Sequence, residues 1–246
     1  MFAILSVAGN CSGGLSTEPY KNIAVKQMQE HLDSSLQIPF AGFHLNGELL
    51  VPPDSLGVVL FAHGSGSGRF SPRNQFVART LREHRAGTLL FDLLTEAEEE
   101  EDRFTGHLRF DIGLLSQRLL GATTWFHENH PALPIAYFGS STGAAAALAA
   151  AAQSSVPIRA IVSRGGRPDL AGPSLPNVKA PTLLIVGGAD TPVISMNEEA
   201  SAQMRCARDL RIIPGASHLF EEAGALEQVA QMAAKWFQQH FQPKLG

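Results

Sequence analysis

Residues 134–152 read PIAYFGSSTGAAAALAAAA: a short apolar run, then Gly139-Ser140-Ser141-Thr142-Gly143, then almost unbroken alanine. Alanine is the strongest helix former, so the stretch predicts a strand, an abrupt turn and a helix. Gly139 and Gly143 frame a G-x-S-x-G sequence in the strand-to-helix context that this motif requires. The central residue of such a turn is held in strained backbone, and side chains two positions to either side would collide with it, so glycines fit there. Ser141 would then lift its hydroxyl clear of the sheet. The free N–H groups of the following helix would face negative charge developing beside it. A glycine-rich turn whose serines only cap a helix accounts for the same five residues, and the rest of the chain has to decide.

Similar apolar runs recur at Val58–Phe61, Thr88–Phe91, Ile135–Phe138, Ala160–Val162, Thr182–Val186 and Leu210–Ile213. All but the last are apolar at successive positions, as strands covered on both faces are. Helix-period segments lie between them, at Asn74–Glu83, Phe110–Phe126, Thr142–Gln153, Asn197–Cys206 and Leu226–Phe241. Ahead of these, IPFAGFHLNGELLVP reads as two short strands joined at Asn46-Gly47, a favoured hairpin dipeptide. Alternating strands and helices predict an α/β fold, a mostly parallel twisted sheet with helices on both faces. The connections, the longest about Thr95–Leu108 and Pro168–Pro181, leave no room for a separate cap domain. Residues 38–246 form a single domain in this reading, and residues 1–37 an extension without an assigned role.

Open α/β sheets bind ligands beyond the carboxyl ends of their strands, so the strand-ending loops carry the information. After the first parallel strand comes HGSGSGRFSPRN. His63-Gly64-Ser65-Gly66 would set unhindered backbone N–H groups at the sheet edge, and the Ser65 N–H with that of Thr142 could form an oxyanion hole. Neither a phosphate-loop spacing nor a G-x-G-x-x-G fingerprint is present. His63 is read as a structural residue that hydrogen-bonds neighbouring loops. After PTLLIV comes GGADTPV, where Asp190 could fix a histidine tautomer or merely satisfy its own turn. After LRII comes PGASHLF, with His218 ahead of the last helix; nine histidines occur in the chain, so only its position distinguishes it.

The order Ser141, Asp190, His218, each after its own strand, is that of the α/β-hydrolase fold. From about Ile38 to the C-terminus the chain resembles that superfamily. HGSGSGRFSPRN, LLFDLLT and GGADTPV make it most similar to the compact dienelactone-hydrolase-like branch. The dienelactone hydrolases proper use a cysteine nucleophile where this chain has Ser141. A serine needs a base to take its proton, so the resemblance implies ordinary ester hydrolysis more than dienelactone cleavage. The implied activity is that of a serine carboxylic-ester hydrolase acting on small or short-acyl esters, with no metal and no cofactor. Acyl transfer or perhydrolysis by the same triad, and a ligand-binding protein that keeps only the fold, are the alternatives.

Asp169 in SRGGRPDL is the rival triad acid, and Asp92 reads as a loop organiser. Arg69, Arg73, Arg164 and Arg167 come from two loops at the site rim; Arg69 and Arg164 are the candidates for holding an acidic substrate, against loop salt bridges as the plainer use. The acidic run at Glu96–Asp102 has no calcium-ligand spacing. A net charge of −4 argues against nucleic acid as a partner. The two cysteines, Cys11 and Cys206, build no disulfide framework or zinc site. No run reaches the roughly 20 apolar residues of a membrane span, and MFAILSVAG lacks the basic start of a signal peptide. These features point to a cytoplasmic protein; monomer and homodimer both stay open.

Overall fold

The computed structural model describes residues 35–242; the N-terminal MFAILSVAG and YKNIAVKQMQEHL segments lie outside them. Eight strands form one sheet in the order β1-β2-β4-β3-β5-β6-β7-β8. They are β1 (Ser35–Phe40), β2 (Phe43–Leu50), β3 (Val58–Ala62), β4 (Gly87–Phe91), β5 (Ile135–Ser140), β6 (Ile158–Arg164), β7 (Thr182–Gly187) and β8 (Arg208–Ile213). The β1–β2 and β2–β4 pairs are antiparallel and every other pair is parallel. This is the α/β-hydrolase arrangement expected, and the described residues include no separate cap.

Every residue of β3, β4, β5 and β7 is buried. Their continuous apolar character serves two cores at once, because successive side chains point to opposite faces. Val58, Leu60 and Tyr137 join one core with α3 (Ile112–Asn129) and α4 (Thr142–Gln153). Val59, Phe61 and Phe138 join the other with α1 (Pro72–Glu83) and α6 (Ala225–Phe241). The alanines of α4 are explained by position: Thr142–Ala150 are all buried where the helix packs between α3, the sheet and the 3₁₀ segment Pro168–Asn177. Side chains no larger than a methyl let it approach all three.

Two local expectations are corrected, the hairpin turn and the start of one helix, and the acidic run, read as a solvated loop or helix start, takes the helical form. The hairpin turns at Ala41-Gly42, not Asn46-Gly47: Phe40 pairs with Phe43, and Gly42 supplies a φ of +88° that non-glycine residues rarely adopt. Gly47 lies inside β2, where a Cβ would meet Leu36 and Phe91 at 3.2 Å; its smallness serves strand packing. The acidic run is an ordered helix, α2 (Glu96–Thr105), begun by a Thr95/Glu98 capping box that satisfies two end N–H groups reciprocally. Helix α5 (Thr191–Gln203) starts well before Asn197, with proline in its first turn, where a missing N–H costs nothing.

β4 and β5 lie on opposite sides of β3, so the chain reverses direction across the sheet there. The loops leaving the C-terminal ends of β3 and β5 part at this point and open a crevice. The 63–71 loop and Ser141 border it.

Candidate active site

Ser141 joins β5 directly to α4 with φ 50° and ψ −122°, a conformation costing on the order of 1–3 kcal/mol for a non-glycine residue. The surroundings hold it there. Its N–H donates to the Arg164 carbonyl at 3.3 Å, and its carbonyl accepts from the Ala144 and Arg167 N–H groups, each at 3.1 Å. A Cβ on Gly139 would lie 2.5 Å from Ala144 Cα, and one on Gly143 only 2.1 Å from the Ala62 carbonyl oxygen. The two framing glycines are therefore required by contact. Gly64 adds a third: its Cβ would press on Ser141 Cβ at 3.0 Å, so the β3 loop approaches the serine as closely as backbone allows.

His218 stands between β8 and α6. Its Nδ1 lies 2.6 Å from Asp190 Oδ2, with Asp190 largely buried and the imidazole about one-third exposed. Asp190 occupies the N-cap of α5 yet makes no side-chain capping bond. An aspartate at that position ordinarily accepts from the helix N–H groups; here the carboxylate is turned to the histidine instead. The β7 and β8 loops are stacked tightly enough that a Cβ on Gly187 would meet the Ser217 carbonyl oxygen at 2.5 Å. Glu222 accepts from the Ser217 N–H at 2.9 Å; that bond to the backbone holds its carboxyl below the usual carboxylate range and fixes the loop next to His218. The imidazole lies over the end of β6, with Cε1 3.6 Å from where a Gly165 Cβ would be. Gly165 follows Arg164, whose carbonyl receives the Ser141 N–H, so the histidine and serine flank the same strand end. Asp169 is elsewhere, paired with the guanidinium of Arg167 at 2.7 Å. Of the two candidate acids, only Asp190 reaches His218.

The oxyanion side differs from expectation in one respect. The Ser65 N–H is not open: it donates to Thr142 Oγ1 at 3.1 Å. The Thr142 N–H, at the first position of α4, has no acceptor among the described residues. The hydroxyl of Thr142 thus clips the β3 loop to the turn that carries Ser141. His63 bolts the same loop to the β4 loop. The Leu93 N–H donates to His63 Nε2 at 2.9 Å, so the ring proton sits on Nδ1, which donates to the Gly64 carbonyl at 3.0 Å. Burial holds the His63 pKa below its ordinary value and keeps the ring in this neutral tautomer.

Arg69 is committed to Asp92, through its backbone N–H at 2.8 Å and through a guanidinium–carboxylate contact. This is a loop salt bridge, the plainer use of Arg69, and Asp92 is the organiser its position suggested. Beside that loop a cavity of about 730 Å³ is lined by Ser65, Phe70, Arg73 and Leu94, among others. Two asparagines escaped the sequence reading. Asn74 Oδ1 accepts from Ser140 Oγ at 3.3 Å, and Asn197 Nδ2 donates to the Gly166 carbonyl at 3.0 Å. Both are buried within helices and brace the segments on either side of Ser141. Both stood at the predicted starts of helices, where asparagine is ordinary, so nothing in the sequence signalled these contacts.

A solved dienelactone hydrolase from Anabaena variabilis superposes with a TM-score of 0.83 at 55% identity, covering 85% of this chain and 97% of that one. The chain belongs to the dienelactone hydrolase family. By fold it is an α/β hydrolase. An α/β serine hydrolase without lid from Xanthomonas campestris shares the fold at 20% identity, with a TM-score of 0.67 over 83% of this chain and 93% of that one. Among curated proteins, one from Mycobacterium tuberculosis that carries the provisional name phosphoribosyl transferase is 51% identical over 210 residues, 85% of this chain and 46% of its own length. The chain spans about half the length of the curated relatives it matches. No protein-family model matches it. No helix among the described residues is long and apolar enough to cross a membrane.

Proposed function

We propose that this dienelactone hydrolase family member is a serine hydrolase of small carboxylic esters, with Ser141 as nucleophile, His218 as general base and Asp190 as its orienting acid. The observation that carries the reading is the 2.6 Å contact between His218 Nδ1 and Asp190 Oδ2, made by a carboxylate that leaves its own helix uncapped. An Nδ1–H held by Asp190 leaves Nε2 as the lone-pair nitrogen, which is the tautomer a serine needs in order to lose its proton.

In this mechanism His218 Nε2 accepts the Ser141 proton as Oγ bonds to the ester carbonyl carbon. Asp190 stabilises the imidazolium so formed. The oxyanion takes the Thr142 N–H at the start of α4, where the helix dipole adds to the hydrogen bond. The Ser65 N–H joins it by turning from Thr142 Oγ1 to the oxyanion. His218 returns the proton to the departing alcohol. It then takes one from water, whose oxygen attacks the acyl-enzyme carbonyl, and gives that proton to Ser141 Oγ as the acyl–Oγ bond breaks, releasing the acid and free Ser141. Transfer to an alcohol instead of water uses the same groups, and product analysis separates the two.

The transferase name belongs to proteins more than twice as long as the stretch matched, and the site residues here support acyl chemistry. The test is a panel of p-nitrophenyl esters of graded acyl length, run on the wild type and on Ser141→Ala. Hydrolysis that is fastest for short acyl groups, and lost in the variant by three or more orders of magnitude, is the expected result. Undiminished hydrolysis by Ser141→Ala contradicts the mechanism.

A further inference from the structure

At the end of β6 a cation is buried without an ion-pair partner among the described residues. Arg164 is 7% exposed, and its Nε–H has no acceptor among those residues. Among the described residues no carboxylate forms an ion pair with it, whereas Arg69, Arg109 and Arg167 each hold an aspartate. Its guanidinium carbon lies 5.9 Å from the centroid of the Phe220 ring. Burial, together with the nearby charge of Arg73, pulls its pKa down to about 10. Burying an unpaired charge is costly, so such groups are normally paired or replaced.

The Arg73 that acts on it comes from the start of α1 and repeats the pattern. Its Nε is also buried without an acceptor, and the carboxylate paired with it is Glu221, 3.7 Å away and 65% exposed. Helix α1 has twelve residues, no acid in its first turn and no side-chain cap from Ser71. The Arg73 and Asn74 N–H groups find no acceptor among the described residues. The Ser140–Asn74 hydrogen bond ties this helix start to the end of β5, where Ser140 pairs in register with Arg164. The start of α1, which carries Arg73, and the end of β6, which carries Arg164, thus both meet Ser140, the residue before Ser141, and the charge of Arg73 reaches Arg164.

We infer that Arg73, Arg164 and the N-terminus of α1 form a binding site for a phosphate group beside Ser141. Two cations and the helix partial charge, offset in part by the exposed Glu221 beside Arg73, ask for more than one negative charge. A phosphate monoester supplies about −1.5 to −2 at pH 7 with three acceptor oxygens, where a carboxylate supplies one charge and two. The substrate class that follows is a small ester bearing a phosphate on its acyl or alcohol part. That last step rests on the esterase reading; the binding site does not.

The test is isothermal titration of inorganic phosphate, with acetate as the carboxylate control, into the full chain, Arg164→Met and Arg73→Gln at constant ionic strength. The expected result is phosphate binding that weakens about tenfold or more in each variant, with acetate bound far more weakly. Arg73→Gln changes a residue about one-third exposed and is the check against a folding defect at buried Arg164. No phosphate binding, or binding equal in all three proteins, overturns the site, and acetate binding as tight as phosphate overturns its assignment to phosphate. Competitive inhibition of p-nitrophenyl acetate hydrolysis by phosphate in the wild type, weakened in Arg73→Gln, places the site at the substrate. Binding without competition overturns that placement and leaves the esterase reading untouched.

Discussion

Replacing Asp190 with asparagine isolates the proposed role of the carboxylate, because the structure gives it little else to do. Asp190 makes no cap bond to α5, so the helix start should survive the change. The His218 ring is about one-third exposed, and water screens the pair. Its contribution to stability is therefore about 1 kcal/mol or less, or roughly 2–4 °C in Tm for a domain of this size. The effect on catalysis should be far larger. The asparagine amide can present N–H to Nδ1, which favours the tautomer carrying its proton on Nε2 and leaves no lone pair for Ser141. Loss of this orientation corresponds to about 10³–10⁴ in kcat, or about 4–5.5 kcal/mol of transition-state stabilisation. Steady-state hydrolysis of p-nitrophenyl acetate, paired with thermal unfolding, measures both. An Asp190→Asn protein that keeps a tenth of the activity refutes the orienting role. One that unfolds ten or more degrees lower shows the carboxylate to be structural.

Asp169→Asn should leave kcat within about threefold, since its guanidinium partner is Arg167 and not the histidine; the same assay checks this. Gly143→Ala forces a methyl to within 2.1 Å of the Ala62 carbonyl oxygen. It should cost at least about 1–3 kcal/mol in urea unfolding, with activity falling as the Ser141 turn shifts. His63 carries a pH dependence of stability. Its folded pKa lies below 6.5, so the unfolded chain binds the proton first, and stability should be complete above pH 6.5 and decline as pH falls below it. Urea unfolding at pH 7.5 and 5.5 should show a smaller loss in His63→Gln than in the wild type. Tyr137→Phe removes a buried 2.7 Å hydrogen bond to Thr123 and should cost about 0.5–1.5 kcal/mol in the same assay, without change in KM.

The strand ends were legible because the parallel strands are buried on both faces and read as unbroken apolar runs. Ser141 and Asp190 each followed such a run and His218 the more exposed edge strand Arg208–Ile213, so their meeting at one edge of the sheet was a consequence of parallel topology. What escaped the sequence depended on contacts between loops. Nothing in HGSGSG shows that the Ser65 N–H will meet the Thr142 hydroxyl 77 positions later, or that Arg69 will meet Asp92 and not substrate. Asn46-Gly47 looked like a turn because its local preference is strong. Cross-strand packing against Leu36 and Phe91 overrode that preference and put the turn at Gly42. The acidic run read equally as a solvated loop or a helix start, and the T-x-x-E capping box at Thr95 and Glu98 is the local signal that favours the helix.

The central claim is that Ser141, and not its neighbour Ser140, is the nucleophile. Ser140 is buried and bonded to Asn74, while Ser141 stands at the turn with its backbone held from three sides. Labelling the protein with a fluorophosphonate and mapping the adduct by peptide mass spectrometry measures this directly. The account predicts one adduct, on Ser141, lost in Ser141→Ala and formed orders of magnitude more slowly in His218→Ala. An adduct on Ser140, or equally fast labelling without His218, contradicts it.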